Sequence, residues 1–271
     1  MTLSEITARL TAAGVDSPRF DALELICRFA GTSRAAVLAA PETDYPEPAL
    51  ANAVAARCKR VPLAYILGEW DFMGHTFRVT PDCLVPRSDT ELLCSLLIAG
   101  LPLGGTFADL CTGSGCIAVA ALLERPDATA AALELSSAAL AVAEENARRL
   151  NVAHRLTFLR ADVRTAALPA TYDWIVSNPP YVTVSEMEHV SPEVQQEPAI
   201  ALTDGGDGLA FYRRIFARYP AYLKPGGKLA VEIGWQQAAA VCAIAAENGM
   251  IPTVHKDLEH RDRVITAVKE Q

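Results

Sequence analysis

Hydrophobic positions along the 271-residue chain follow one period up to about residue 60 and a second arrangement beyond it. Leu3, Ile6 and Leu10 recur at helical intervals behind Thr2 and Glu5, which have capping-box spacing, and Gly14 stops the run. Ser17 and Pro18 open a second helix that carries Leu23, Leu25, Ile26 and Phe29 to a stop at Gly31. Shorter helices are predicted over 34–39 and, after the proline-rich break PETDYPEP, over 48–60. The pattern then turns β-like over 65–70 and 76–79, with Met73 and Gly74 as the turn of a hairpin. Ser88 and Glu91 repeat the capping-box spacing and open a helix towards Ile98, which Pro102, Gly104 and Gly105 end.

Beyond that point short apolar runs alternate with helical ones. Strands are predicted over 106–110, 129–133, 155–159, 172–176 and 228–233, with helices over 114–123, 137–150, 209–219 and 236–248. The last two β-like pieces, 253–257 and 263–268, have no helix between them and can join only as a hairpin, which places an antiparallel strand in a parallel sheet. The expected fold class is α/β: a doubly wound, mostly parallel seven-stranded sheet with an antiparallel strand, plus a small N-terminal helical bundle and a linking β-hairpin. The expected divisions are 1–60 for the bundle, 61–80 for the bridge and 81–271 for the α/β domain.

Composition narrows the functional classes. Hydrophobic residues make up 51% of the chain, yet no apolar run reaches the roughly 20 residues that span a bilayer. Glu5 stands where a signal peptide would need a basic start, so no membrane association and a cytoplasmic location are expected. The seven cysteines contain no C-x-x-C pair and the five histidines show no ligand spacing, so no metal is expected. The net charge is −8, of which −1 falls up to residue 80 and −7 beyond it. An acidic α/β half argues against nucleic acid as a stable partner, because phosphate binding needs a basic face.

Candidate chemistry lies at strand ends, where open α/β sheets bind ligands. Asn178, Pro179, Pro180 and Tyr181 follow the strand predicted over 172–176. Two prolines stiffen the loop and remove its own donors, so it presents the Asn178 side chain and nearby carbonyls as fixed acceptors beside the Tyr181 ring. Such a pocket suits a planar group carrying an NH2. A second loop, Asp109, Leu110, Cys111, Thr112, Gly113, Ser114 and Gly115, joins a strand to a helix, and its glycines let backbone approach a ligand. It lacks the full dinucleotide pattern. Glu134 ends the next strand at the spacing where an acid meets ribose hydroxyls, and Asp162, followed by Val163, ends the one after. Acids at successive strand ends suit a nucleoside with hydroxyls and an exocyclic amine, while Asp109 could orient the loop.

The segments PLAYILGEWDFMGHTFRV, LVPRSDTELL, DLCTGSGCIAVA, VSNPPYV, QQEPAIAL and KPGGKLAVEIGWQQ together cover nearly the whole chain in their spread. In them the sequence resembles the class I methyltransferases that use S-adenosylmethionine, and within these the release factor glutamine methyltransferases, PrmC or HemK. The resemblance implies a Rossmann-like C-terminal domain that binds S-adenosylmethionine through Asp109, Cys111, Thr112, Gly113, Ser114, Gly115, Glu134, Asp162, Val163 and Asn178. It implies a helical bundle that engages peptide chain release factors, and a monomer. Asn178 and the Pro179 carbonyl would take the two hydrogens of a glutamine amide, with Pro180 completing the loop and Tyr181 packing on the amide plane. Departures occur at Cys111, where many members have Gly, at Glu134 for Asp, at Ser88 for Pro, and at EHRDRV near the end. Two other readings stay open on the residues alone. A nucleic acid adenine methyltransferase would offer the same NH2 to the same tetrapeptide, and a noncatalytic nucleoside-binding adaptor would keep the pocket without the reaction.

Overall fold

The structure, a computed structural model, describes residues 1–269. It divides into two units, one of residues 1–69 with 191–196 and the other of residues 70–190 with 197–269.

In the first unit α1 (Leu3–Ala12), α2 (Pro18–Ala30), α3 (Arg34–Ala39) and α4 (Pro48–Cys58) are followed by α5 (Leu63–Leu67). The capping box of α1 forms as its sequence predicts, with the Glu5 amide donating to the Thr2 hydroxyl at 3.2 Å and the Thr2 amide to Glu5 Oε2 at 2.9 Å. Helix α5 corrects the β-like reading of 65–70: Pro62 precedes one helical turn, Gly68 ends it with φ 75°, and only then does the strand start. An apolar run as short as Tyr65, Ile66 and Leu67 fits either period. Segment 191–196 is held to the bundle by charge. Arg57 Nε reaches Asp21 at 2.6 Å, and the Arg57 and Arg60 side chains converge on Glu193 at 2.5 to 2.7 Å.

The second unit contains the hairpin β1 (Glu69–Phe72) and β2 (His75–Arg78), turned at Met73 and Gly74, both with positive φ as a two-residue hairpin turn demands. Then come α6 (Thr90–Gly100), β3 (Thr106–Leu110), α7 (Cys116–Glu124), β4 (Thr129–Glu134), α8 (Ser137–Arg149), β5 (Leu156–Arg160) and β6 (Tyr172–Ser177). After the short α9 (Val184–Met187) and α10 (Ala199–Leu202) follow α11 (Ala210–Arg218), β7 (Leu223–Glu232), α12 (Ala238–Glu247), β8 (Met250–Lys256) and β9 (Asp262–Lys269). The predicted capping box at Ser88 and Glu91 does not form. Asp89 occupies the N-cap position without a side-chain bond, and Glu91 Oε1 instead accepts the Met73 amide of the hairpin turn at 2.9 Å. Tertiary contact outbids the local motif there.

The sheet order is β5-β4-β3-β6-β7-β9-β8, with β9 antiparallel to both neighbours, so the fold is the expected seven-stranded mixed sheet. Alternate residues feed opposite layers, as a strand's two-residue period requires. Phe107, Trp174, Val176 and Ala230 face a core shared with α6 and α7, while Ala108, Ile175, Leu229 and Val231 face one shared with α11 and α12. Successive strands run outward on one side of β3 and then restart on its other side at β6, which opens a crevice at their carboxyl ends.

Burial alone would raise the Glu193 pKa, but hydrogen bonds from Arg60 and Arg57 more than reverse this and hold it down to about 2. A carboxylate depressed in this way stabilises the fold above its unfolded pKa of 4.5, and that contribution is lost as pH falls through about 2. Glu193→Gln is expected to lower the urea midpoint at neutral pH by the equivalent of roughly 1–3 kcal/mol. The deficit should narrow in acid; a deficit independent of pH would assign Glu193 to packing alone.

Candidate functional site

The crevice between β3 and β6 holds a cleft of about 870 Å³, part of it open solvent, at the strand ends where open α/β sheets bind ligands. Its wall includes Cys111, Thr112, Gly113, Ser114, Glu134, Asp162, Val163, Asn178 and Pro180, which sequence places at four different strand ends. Asp109 and Gly115 lie behind this wall. Pro179 is buried and does not line the cleft, and Tyr181 lines a neighbouring recess with Trp235, Gln237 and Arg263.

The β3–α7 loop is shaped by three left-handed residues, Cys111 with φ 62°, Gly113 with φ 56° and Gly115 with φ 79°. A Cβ at Gly115 would come within 3.0 Å of Ala143 Cβ on α8, so helix packing as well as backbone angle requires glycine there. Asn146, also on α8, anchors the loop's far side: Nδ2 donates to the carbonyls of Ser114 and Arg78, both at 2.9 Å, and Oδ1 accepts the Arg78 amide at 2.7 Å. Beneath the loop, Asp109 is fully buried and accepts the Thr112 hydroxyl at 2.5 Å, while its Oδ1 has no partner. Burial pushes its pKa up to about 7 against the bond from Thr112.

Glu134 staples the loop from β4. Its Oε2 accepts the Gly113 amide at 3.0 Å and its Oε1 the Ser136 amide at 2.9 Å. Each carboxylate oxygen keeps a further acceptor position, so the group can still receive hydroxyls from a ligand. Asp162 is held by Arg164, whose Nη2 lies 2.8 Å from Oδ2, and that bond holds its carboxyl below the usual range. The Arg164 guanidinium in turn sits 5.8 Å from the centroid of Phe211, which lines the cleft. Leu135, Val163 and Phe211 add apolar surface suited to a planar base beside polar strand ends.

On the opposite side Asn178 Nδ2 donates to the Thr90 hydroxyl at 3.1 Å. The Tyr181 hydroxyl donates to Glu232 Oε1 at 3.2 Å, and its carbonyl accepts Gln237 Nε2 at 3.0 Å. Gly208 is pressed against the same carbonyl, where a Cβ would sit 2.2 Å from the oxygen. Segment 82–90 and the α10 residues Ile200 and Ala201 complete the cleft. They are joined by Glu197, nearly buried, which accepts the Val85 amide at 3.0 Å and pairs with Arg87.

Thr90, Asn146, Glu197 and Glu232 receive no role in the reading of the sequence, although Thr90, Glu197 and Glu232 stand inside the motif segments LVPRSDTELL, QQEPAIAL and KPGGKLAVEIGWQQ. One signal was available for Glu232: it ends a strand whose preceding residues, Leu229, Ala230 and Val231, are all buried, and an acid in such a run must find partners. The others come from remote segments that only the fold brings together.

Known proteins resemble the chain along its length. A family model described as PrmC N-terminal domain matches residues 2–68, and one described as Methyltransferase small domain matches residues 88–225. A release factor glutamine methyltransferase of Cereibacter sphaeroides is 46% identical over 264 residues, covering 96% of this chain and 94% of the relative. Another, from Caulobacter vibrioides, is 37% identical over 283 residues and covers 99% and 98%. Among solved structures, a methyltransferase from Pyrococcus furiosus matches with TM-score 0.56 and 17% identity over 72% of this chain and 89% of its own, a likeness of fold.

Asp109 generates a pH test of the loop. A carboxyl whose folded pKa is raised contributes stability that is fully present below its unfolded pKa of 3.8 and lost as pH rises through about 7. Asp109→Asn keeps an acceptor for Thr112 and removes the titration. The urea midpoint of Asp109→Asn minus that of the parent is expected to climb between pH 4 and pH 7, and a flat difference would place the proton elsewhere.

Proposed function

The chain belongs to the release factor glutamine methyltransferase family and is a protein-(glutamine-N5) methyltransferase, and on that premise we propose that it methylates the glutamine of the Gly-Gly-Gln loop of peptide chain release factors with S-adenosylmethionine bound in the β3–β6 cleft. The reading includes a cytoplasmic, monomeric enzyme without stable nucleic acid or membrane attachment, and a helical bundle at 1–60 that docks the release factor. The observation that carries it is the meeting of two loops at one crevice: the Cys111–Gly115 side with Glu134 and Asp162, and the Asn178 side with its proline-stiffened backbone.

The cleft suits the cofactor on the chemistry of its lining. Glu134 would receive the ribose hydroxyls on acceptor positions its two backbone bonds leave open. Leu135, Val163 and Phe211 would flank the adenine, and Asp162 would accept from its amine on a carboxylate already kept ionised by Arg164. Bound S-adenosylmethionine supplies a methyl group made electrophilic by the sulfonium.

The protein's own task is the nucleophile. A glutamine amide nitrogen is weak because its lone pair is delocalised, and it must be held in line with the methyl. Asn178 Oδ1 and the Pro179 carbonyl would accept the two amide hydrogens, which orients the nitrogen and favours its pyramidal form. The fixed dipoles of the Asn178 side chain and the Pro179 carbonyl would stabilise the positive charge that develops on the amide nitrogen as it takes the methyl, and the nitrogen would afterwards lose its proton to solvent. Pro180 faces the cleft and Tyr181 the adjoining recess, so the loop is the partition across which the two ligands would meet. Glycines beside the glutamine let it extend into so narrow a place, where a helix or strand could not follow. Adenine would first have to leave its stack and approach an acidic surface.

Tandem mass spectrometry of a release factor incubated with the enzyme and labelled S-adenosylmethionine should show one added methyl on that glutamine. Label on DNA or RNA with the release factor unmodified would transfer the reading to nucleic acid. Asn178→Ala is expected to bind the cofactor nearly as the parent does and to lose on the order of 10²-fold in kcat; near-parental turnover would remove Asn178 from the reaction. Glu134→Ala should do the reverse, weakening S-adenosylmethionine in a calorimetric titration, and unchanged affinity would shift the ribose contact to another group.

A further inference from the structure

Two prolines leave the loop 178–181 with backbone N–H groups at Asn178 and Tyr181 alone, so it has little with which to bond itself into one shape. Its first end continues β6, which is paired with β3 and β7. Its last carbonyl, that of Tyr181, is met by a side chain. Gln237, at the N-cap of α12, donates to it from Nε2 at 3.0 Å and reaches the Gly208 carbonyl with the same group at 3.5 Å. Gln237 Oε1 accepts the Gly234 amide at 3.0 Å, and the Gln237 amide donates to the Gly234 carbonyl at 2.8 Å. Residues 234–237 are thereby closed into a turn, which walls the recess beside Tyr181.

The orientation of the Gln237 side chain is forced by these partners. A backbone N–H can only donate and a backbone carbonyl can only accept, so Oε1 faces Gly234 and the NH2 faces Tyr181 and Gly208. Gly208 closes the other side with φ 73°, where a Cβ would sit 2.2 Å from the Tyr181 oxygen and 2.8 Å from Gln237 Nε2. The Tyr181 hydroxyl is bonded to Glu232 Oε1 at 3.2 Å, so the residue is held at its backbone and at its tip.

We propose that Gln237 is a positioning residue for methyl transfer: its NH2 holds the Tyr181 carbonyl, and through it the loop 178–181, against the recess from which the glutamine would approach. This rests on the role given to that loop above. The proline pair makes the coupling stiff. Rotation about φ is unavailable at Pro179 and Pro180, so a displacement of the Tyr181 carbonyl is passed back towards the Pro179 carbonyl and Asn178. A shift of about 1 Å in groups that align a nucleophile costs on the order of 10²-fold in rate. Gln237 lines the recess and does not line the cofactor cleft, so the effect belongs to the reaction and not to S-adenosylmethionine binding.

The test separates the two bonds of one side chain. Gln237→Glu keeps an acceptor for the Gly234 amide and sets a carboxylate oxygen against the two carbonyls, whereas Gln237→Met keeps the length and neither bond. For the parent, both variants and Asn178→Ala, kcat and KM for release factor are measured at saturating S-adenosylmethionine, and cofactor affinity by calorimetry. Expected are losses of about 10-fold or more in kcat for Gln237→Glu and Gln237→Met, a smaller change in KM, and cofactor affinity within about 3-fold of the parent. If Gln237→Glu does not fold, Gln237→Met decides by the same split between kcat and cofactor affinity. With Asn178→Ala impaired, a parental kcat in Gln237→Glu would assign the side chain to the Gly234 turn and overturn the proposal, as would a parental kcat in both variants. A fall in cofactor affinity that matches the fall in kcat would mark a general loosening of the domain and overturn it too. A fully active Asn178→Ala would instead overturn the reading of the loop beneath it.

Discussion

The Ser177 hydroxyl donates to the Leu110 carbonyl at 2.7 Å, buried where β3 and β6 end side by side. These two strands are the ones between which the chain reverses its direction of travel across the sheet, so the loops that follow them diverge from a common point. Everything in the cleft is measured from there. The loop after β3 turns left-handed at once and runs into α7, while the loop after β6 is straightened by two prolines. A bond in the core thereby sets the separation between the two halves of the site.

Around that point the site is built from side chains that spend their hydrogen bonds on backbone. Glu134 holds two amides, Asn146 two carbonyls and one amide, and Glu197 one amide beside its pair with Arg87. Such bonds are made in a buried or half-buried setting where an unmet polar group is costly, so each constrains its loop more than a fully exposed pair could. Preorganisation of this kind suits a reaction in which no strong base is needed and geometry does most of the catalysis.

Much of this was legible in the sequence, and the reasons separate cleanly. Strand runs such as TFADL and YDWIVS, with turn residues behind them, announce both element and strand end, and that is where ligand-facing groups lie in an open sheet. Cys111 to Ser114, Glu134, Asp162, Asn178 and Pro180 could therefore be named as candidates from position alone. What stayed hidden has a common cause: its meaning depends on a partner far away in sequence. Thr90 reads as a helix start, but its hydroxyl serves a residue 88 positions on. Glu91 reads as a cap, yet it serves the hairpin turn. Tyr181 reads as a ring for the cleft, while its hydroxyl is drawn to a carboxylate on β7 and its ring lines the next recess. Local rules describe what a residue can do and leave open which of its capacities the fold takes up.

Cys111 holds φ 62° in the β3–α7 loop, a left-handed backbone that glycine adopts most readily. Left-handed backbone costs an L-residue with a Cβ on the order of 1 kcal/mol, and any replacement other than glycine would inherit that cost. The position therefore has few relaxed neighbours in sequence space. Cysteine and glycine codons differ by one nucleotide, so a lineage can cross between them in a single step without passing through a third strained side chain. Glycine is thus the one nearby replacement that would keep the shape of the loop without that cost.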